Sequence, residues 1–190
     1  MKVKLSGEST VSEGGGIKID KDGITWSTRG NGSDISSYRD QWGRLKRSHQ
    51  RLKQMDEGQA DDIHSENYRD EIYAFFMNCH HLKDWLINDP GFPASKTEVD
   101  CYINSNKELQ ICADICNAHK HFRLSKPRSA EEPKVGDLNI ESKLTARRVG
   151  VVRIEFTIDT TSGPVDGFKL ATKCVELWRT FILGNGCGAA

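Results

Sequence analysis

The chain has 190 residues, and 27 Lys and Arg balance 27 Asp and Glu, so its formal net charge at neutral pH is zero. This balance argues against a protein that coats nucleic acid by charge alone, while a local basic patch is compatible with it. The sequence shows neither an apolar run long enough to span a membrane nor the apolar block of a signal peptide, so we expect a cytoplasmic protein without membrane association.

Residues 1–33 predict a β-hairpin annex. Two short runs, Gly16–Ile19 and Ile24–Trp26, alternate apolar and polar side chains. Between them lies Asp20-Lys21-Asp22-Gly23, whose Asp-Gly pair favours the positive φ of a tight turn. The annex is therefore predicted to be a small unit in front of the main domain.

Residues 34–186 predict a mainly helical domain. Apolar residues at helical spacing predict helices over about 34–58, 62–88, 95–104, 106–122 and 170–183. Ser33 or Asp34 is the expected N-cap of the first helix, and Ser95-Lys96-Thr97-Glu98 has the capping-box form that starts the third.

Two strands are predicted before the last helix, at Leu138–Leu144 and Val149–Asp159. In the second strand apolar and polar residues alternate, which is typical of a half-buried strand. The predicted fold class is α+β: a four- to five-helix bundle core with a small antiparallel sheet from the N-terminal hairpin and the strands near 138–159. The hairpin at about 138–159 is thus an insertion in the domain that covers 34–186.

Polar side chains concentrate on the second and fourth predicted helices. On the fourth helix, Asp114, Asn117 and His121 follow one another at steps of three and four residues, so they share one stripe. On the second helix, His80 and Asp84 are four residues apart, and we expect the carboxylate to raise the pKa of the imidazole. If these helices are antiparallel neighbours, both stripes line one groove.

Acid–base chemistry on a phosphodiester is one function that these residues suggest. A histidine with a pKa near neutrality can transfer protons during RNA cleavage without a metal or other cofactor. In this interpretation His121 is the acid or base, and the residues around it orient it or hold phosphates. The full set is His121, Asn117, Asp114, His80 and Asp84, with Lys120 and Arg123 as phosphate ligands. The structural alternative is that these polar groups satisfy helix ends and one another.

Two further interpretations stay open. Cys112, Cys116 and His119 lie along one helical flank and could bind zinc with a fourth ligand such as His80. Buried cysteines more often act as small apolar side chains, so we expect free thiols and no metal. A non-catalytic interaction module, with a tryptophan such as Trp85 at the interface, is the other possibility.

The segments His81-Leu82-Lys83-Asp84-Trp85 and Asp114–Phe122 carry a family resemblance. The helical core resembles the HEPN superfamily (higher eukaryote and prokaryote nucleotide-binding), and more closely small bacterial and phage proteins with these two motifs. HEPN ribonucleases have an arginine, a polar residue, three variable positions and a histidine. Residues 116–121 match the polar residue and the histidine but have Cys116 in place of the arginine, whereas Arg44 and His49 occur at the family spacing.

The resemblance implies an RNA- or nucleotide-directed component of a bacterial or phage defence or toxin-type system. It further implies metal-independent RNA cleavage, a homodimer and a cognate protein partner. The alternative remains a non-catalytic helical interaction or regulatory module.

Overall fold

The fold was analysed in a computed structural model, which describes residues 15–20, 23–28, 37–59, 65–121, 126–145 and 148–186. The chain forms two compact units, residues 1–36 and residues 37–190. Each unit is described by itself below. None of the helices in the described ranges is long and apolar enough to cross a bilayer.

The first unit contains the predicted β-hairpin. Strands β1 (Gly15–Asp20) and β2 (Gly23–Thr28) pair antiparallel, with Ile17 opposite Trp26 and Asp20 opposite Gly23. This pairing confirms the hairpin that the sequence predicts. The two residues between the strands, 21 and 22, lie outside the described residues.

The second unit contains five helices and an antiparallel three-stranded sheet in its described part. The helices are α1 (Tyr38–Asp56), α2 (Ser65–Asn88), α3 (Lys96–Asn104), α4 (Lys107–His121) and α5 (Gly167–Gly186). The strands are β3 (Lys134–Thr145), β4 (Arg148–Thr160) and β5 (Gly163–Asp166), in the order β3-β4-β5. The predicted α+β class is confirmed, and the two hairpins belong to two hydrogen-bonded sheets rather than one.

The N-cap of α1 is Ser37, so the prediction of Ser33 or Asp34 is wrong. Ser37 and Asp40 form a capping box. The carboxylate of Asp89, which follows α2, accepts a hydrogen bond from the Tyr38 N–H at 2.8 Å and another from the Ser37 hydroxyl at 3.0 Å. The Tyr38 N–H is the main cause of a lowered pKa at Asp89. A distant residue therefore completes the start of α1, and local sequence gives no sign of it.

The boundary between α3 and α4 agrees with the prediction, whereas α5 extends three residues beyond the predicted 170–183 at each end. Ser95 and Glu98 form the expected capping box at the start of α3. Helix α3 ends at Asn104, and α4 starts at Lys107. Just past α1, Gly58 has a φ of 72°, a conformation that glycine adopts without the strain a Cβ would cause.

The sheet packs one face of β4 into the core. Ile154, Phe156 and Ile158 are buried there, as the alternating pattern predicted. Strand β5 was not predicted, because Gly163 and Pro164 are typical strand terminators. Its proline is tolerated because β5 lies at the edge of the sheet and pairs only with β4.

The core joins all five helices to β4. Its largest fully buried side chains are Trp178, Phe75, Phe76, Leu45, Leu52, Ile72, Leu82, Leu86, Ile103, Ile115, Ile154 and Ile158. Helix α5 begins against this core, where the ring of Phe156 occupies the space that a Cβ on Gly167 would need. Only glycine fits at that first position without displacing the ring.

Candidate functional site

Helix α4 divides into two parts of different environment. The six residues from Ile111 to Cys116 are all buried, and we call this segment the buried half of α4. Asn117 and Ala118 are half-buried, and His119 and Lys120 are exposed, so residues 117–120 form the open end. The predicted site residues of α4 are distributed over both parts and over the residue that follows.

Asp114, in the buried half, holds the loop that precedes β3. Asp114 is 1% exposed. It accepts hydrogen bonds from the N–H groups of Arg128 at 2.8 Å and Ser129 at 2.7 Å, and from the Ser129 hydroxyl at 2.6 Å. Both carboxylate oxygens are therefore engaged by the loop, which gives Asp114 a clear structural task.

Glu131 anchors the same loop from its other end. It accepts hydrogen bonds from the Lys107 ammonium at 2.8 Å and from the Ser162 hydroxyl at 2.7 Å. The Lys107 hydrogen bond, with those of Ser162, lowers the pKa of Glu131 to about 2. Ala130, between the two anchored positions, has a positive φ of 58°. The loop is thus fixed tightly enough to hold a residue in the left-handed region.

His80 does not have the raised pKa that its spacing to Asp84 predicted. Burial lowers the pKa of His80 to about 4, with Lys83 adding to the effect. Asp84 acts in the opposite direction, but it is exposed and forms no ion pair with the imidazole among the described side chains. The expectation of a raised pKa is therefore wrong, because desolvation outweighs the neighbouring carboxylate.

The remaining predicted residues lie at or beyond the open end. Asn117 is half-buried and Lys120 is exposed. His121 is the last residue of α4, and its side chain and all of Arg123 lie outside the described residues. The shared groove of His80 and His121 therefore stays a prediction.

A cavity opens beside the open end of α4. The rings of Tyr73, on α2, and His119 stack with centroids 4.4 Å apart and an interplanar angle of 24°. The cavity has a volume of about 680 Å³, and its lining residues are Tyr73, Ile115, Ala118, His119, Lys120, Pro133 and Lys134. In the sequence His119 is a candidate zinc ligand, and helical spacing gives no sign of this cavity, because its walls come from α2, α4 and the start of β3.

Lys120 and Lys134, which line the cavity at the open end, differ in their ion pairing from the lysines of a second cavity. A cavity of about 490 Å³ contains Lys107, Lys169 and Lys173. Each of these pairs with a carboxylate: Lys107 with Glu131, Lys169 with Asp166 and Lys173 with Glu176. In the described part of the chain, Lys120 and Lys134 form no ion pair. The cavity at the open end is therefore the one whose cations stay available to a ligand.

Three cysteines meet in the core. Cys79 of α2, Cys112 of α4 and Cys174 of α5 are buried, and their sulfur atoms lie within 4.8 Å of one another. We call them the thiol cluster. It shares Cys112 with the zinc interpretation, but His119 stacks on Tyr73 and does not join it. Cys79 and Cys174 lie at apolar helical spacing in the sequence and Cys112 lies on the flank with His119, whereas the meeting of all three depends on how three helices pack.

Arg44 and His49, the second sequence match to the HEPN spacing, have different contacts. His49 Nε2 lies 2.9 Å from the Thr172 hydroxyl, and its ring stacks on Phe168 at 5.5 Å. Arg44 lies over the ring of Trp85 at 5.2 Å. The two side chains thus have separate contacts, one toward α5 and the other toward α2.

Comparisons with protein-family models, with curated proteins and with solved structures find no significant match to this chain. The geometry leaves two features for interpretation: the cavity at the open end of α4 and the thiol cluster. The first is accessible to a ligand and the second is sealed. They are interpreted separately below.

Proposed function

We propose that the open end of α4 binds single-stranded RNA through one nucleotide unit. The observation that supports this proposal is the cavity in which the stacked Tyr73 and His119 rings lie beside Lys120 and Lys134. Aromatic rings stack on bases, and lysine ammonium groups neutralise phosphates. The combination is typical of proteins that bind single-stranded nucleic acid without strong sequence preference.

The remaining walls of the cavity suit such a ligand. Ile115 and Ala118 provide an apolar floor, and the volume of about 680 Å³ falls within the range of small-ligand pockets. Arg69 donates a hydrogen bond to the Gly136 carbonyl at 3.2 Å, which brings a further cation to the side where β3 begins. The positive charge is local, as the neutral net charge of the chain requires.

Binding has more support than catalysis. Asp114 is already engaged by the loop, and His80 has a pKa of about 4, so it is neutral at physiological pH. RNA cleavage in which His121 is the acid or base, Asn117 orients it and Lys120 and Arg123 hold the phosphate remains a prediction from the sequence.

The biological setting is also part of the proposal. A HEPN-like RNA-directed component of a defence or toxin system, acting in the cytosol as a homodimer with a cognate protein partner, agrees with RNA binding. The family resemblance is its support. Buried free cysteines fit a reducing compartment.

Fluorescence anisotropy with a labelled single-stranded RNA oligonucleotide tests the proposal. We expect a Lys120→Ala/Lys134→Ala double variant to weaken binding about tenfold and to reduce the salt dependence, because two phosphate contacts are lost. The matched control is Lys169→Ala/Lys173→Ala, which removes the same charge from the cavity whose lysines are paired. Equal weakening by both double variants, or no binding by the wild type, would contradict the proposal.

A gel assay of RNA cleavage separates the two candidate functions. The wild type and His121→Ala are incubated with the same oligonucleotide without added metal. Cleavage by the wild type alone would extend the function from binding to catalysis. Binding without cleavage in either protein would favour the non-catalytic module.

A further inference from the structure

The thiol cluster brings three sulfur ligands from three different helices to one point. Cys79 and Cys174 are 0% exposed and Cys112 is 1% exposed. Their sulfur atoms all lie within 4.8 Å of one another. Since metal–sulfur bonds of about 2.3 Å place the sulfurs of one site about 4 Å apart, a small inward movement would bring all three to one ion. Cys112 and Cys174 donate their S–H groups to the backbone carbonyls of Phe76 at 3.5 Å and Glu108 at 3.4 Å, and both hydrogen bonds would be given up when an ion binds.

A second observation points to negative charge at this place. The indole N–H of Trp178 is buried and has no hydrogen-bond partner in the described part of the chain. An indole nitrogen can only donate, so it needs an acceptor, and a thiol is a poor one. Trp178 lies one helical turn after Cys174 on α5, so this unpaired donor is on the same helix as a cysteine of the cluster. A metal-bound thiolate of the cluster would give the Trp178 N–H its acceptor.

We propose that Cys79, Cys112 and Cys174 bind one soft d¹⁰ cation, Zn²⁺ or Cu⁺, which ties α2, α4 and α5 together. Thiolate ligands select these ions over hard cations such as Mg²⁺. Binding replaces three S–H bonds with three metal–sulfur bonds and releases three protons to solvent, with no electron transfer. Because the cluster is sealed, the ion enters as the helices assemble and serves a structural role.

The two ions differ in the number of ligands they need. Three thiolates complete a trigonal Cu⁺ site, whereas structural Zn²⁺ takes four ligands. Cys116 lies one helical turn after Cys112 on α4 and is buried, so it is the next cysteine along the helix that could supply a fourth ligand. A Cys116→Ala variant is therefore expected to reduce Zn²⁺ retention and to leave Cu⁺ retention unchanged.

Metal analysis of the full-length protein tests the proposal. The reduced protein is loaded separately with Zn²⁺ and with Cu⁺ and is then desalted. Its metal content per chain is measured by elemental mass spectrometry. We expect one ion per chain for at least one of the two metals. Cys79→Ala/Cys174→Ala should retain less than a tenth of that amount, whereas Cys101→Ala, which changes an exposed cysteine of α3, should retain all of it.

A measurement on the wild type avoids dependence on core variants that could unfold. Loading with Co²⁺ should produce the charge-transfer absorption of cobalt thiolates. Bound metal should also raise the melting temperature of the protein. It should protect the three cluster cysteines from alkylation. The proposal is overturned if the wild type retains neither Zn²⁺ nor Cu⁺. It is also overturned if the folded double variant retains the ion, or if two cluster cysteines form a disulfide instead. RNA binding at the open end of α4 is measured separately, so the two proposals can fail independently.

Discussion

The buried half and the open end of α4 each contain a polar residue that the sequence suggests for function, but the two residues have different surroundings. They are Asp114 in the buried half and His119 in the open end. Asp114 is covered by a loop that uses its carboxylate completely, while His119 stays exposed beside a cavity. The comparison teaches that a polar residue on a helix becomes available for function only where the next element leaves it uncovered.

The largest expected effect comes from the buried half. Asp114→Ala should lower the free energy of unfolding by about 3 kcal/mol, because it leaves the buried Ser129 N–H and the partly buried Arg128 N–H without an acceptor. Urea denaturation measures this effect. Asp84→Ala, which removes an exposed carboxylate of α2, is the control and should change stability by less than about 0.5 kcal/mol. If the Asp114→Ala protein has normal stability but fails to bind RNA, then Asp114 serves RNA binding and not the fold, which contradicts this prediction.

The pH dependence of stability tests whether His80 is shielded from solvent in the folded protein, as Asp114 is. Its pKa is about 4 in the folded protein, against an ordinary value of 6.5 for histidine, so between these pH values the unfolded chain binds a proton that the folded chain does not. Stability should therefore be complete above pH 6.5, fall as the pH is lowered, and reach its full loss of roughly 2–3 kcal/mol near pH 4.

Urea denaturation at several pH values measures the contribution of His80. His80→Gln should remove this part of the pH dependence, whereas His81→Gln, at the exposed neighbouring position, should keep it. If the two variants have the same profile, the imidazole of His80 is accessible to protons in the folded protein.

At the open end the effect should appear in binding more than in stability. His119→Ala removes one stacked ring, so we expect it to lower the free energy of unfolding by less than about 1 kcal/mol. The same variant should weaken RNA binding about tenfold, since a stacking platform for a base is lost. His81→Ala is the exposed-histidine control in both assays. A large loss of stability with unchanged binding would assign the Tyr73–His119 stack to the fold.

The smallest effect concerns the loop that covers the buried half. Ala130 has a φ of 58°, which strains any residue with a Cβ. Ala130→Gly should therefore raise the free energy of unfolding by about 0.5 kcal/mol, after the added entropy of the unfolded chain is subtracted. Ala74→Gly, inside α2, should instead lower it by about 1 kcal/mol. A loss of stability at both positions would show that the loop does not hold Ala130 in this conformation.

The elements that follow from local pattern could be predicted, and those that depend on distant contacts could not. Apolar spacing gives the helices, and alternation at Ile154, Phe156 and Ile158 gives β4 and its buried face. The start of α1 was placed too early, because Asp89 fixes the N-cap at Ser37. Strand β5 was missed because its pairing with β4 overrides its terminator residues.

The candidate site residues show the same difference between what local pattern predicts and what distant contacts decide. Spacing correctly brings His80 and Asp84 to one helix flank, but the direction of the pKa shift depends on burial, which spacing does not contain. Apolar spacing places Cys79 and Cys174 in the core, while the convergence of Cys112 with them requires the packing of three helices. Short-range arguments thus identify which residues are buried and not which of them meet.

The hydrogen bond from the Tyr38 N–H to Asp89 has a consequence for the dynamics of α1. Exposed first-turn amides of a helix usually exchange with solvent deuterium through local fraying. Here the acceptor is 51 residues away along the chain, at the corner between α2 and α3. Deuterium uptake at Tyr38 therefore reports the undocking of that corner, and this single amide can serve as a probe of the whole α1–α2–α3 assembly.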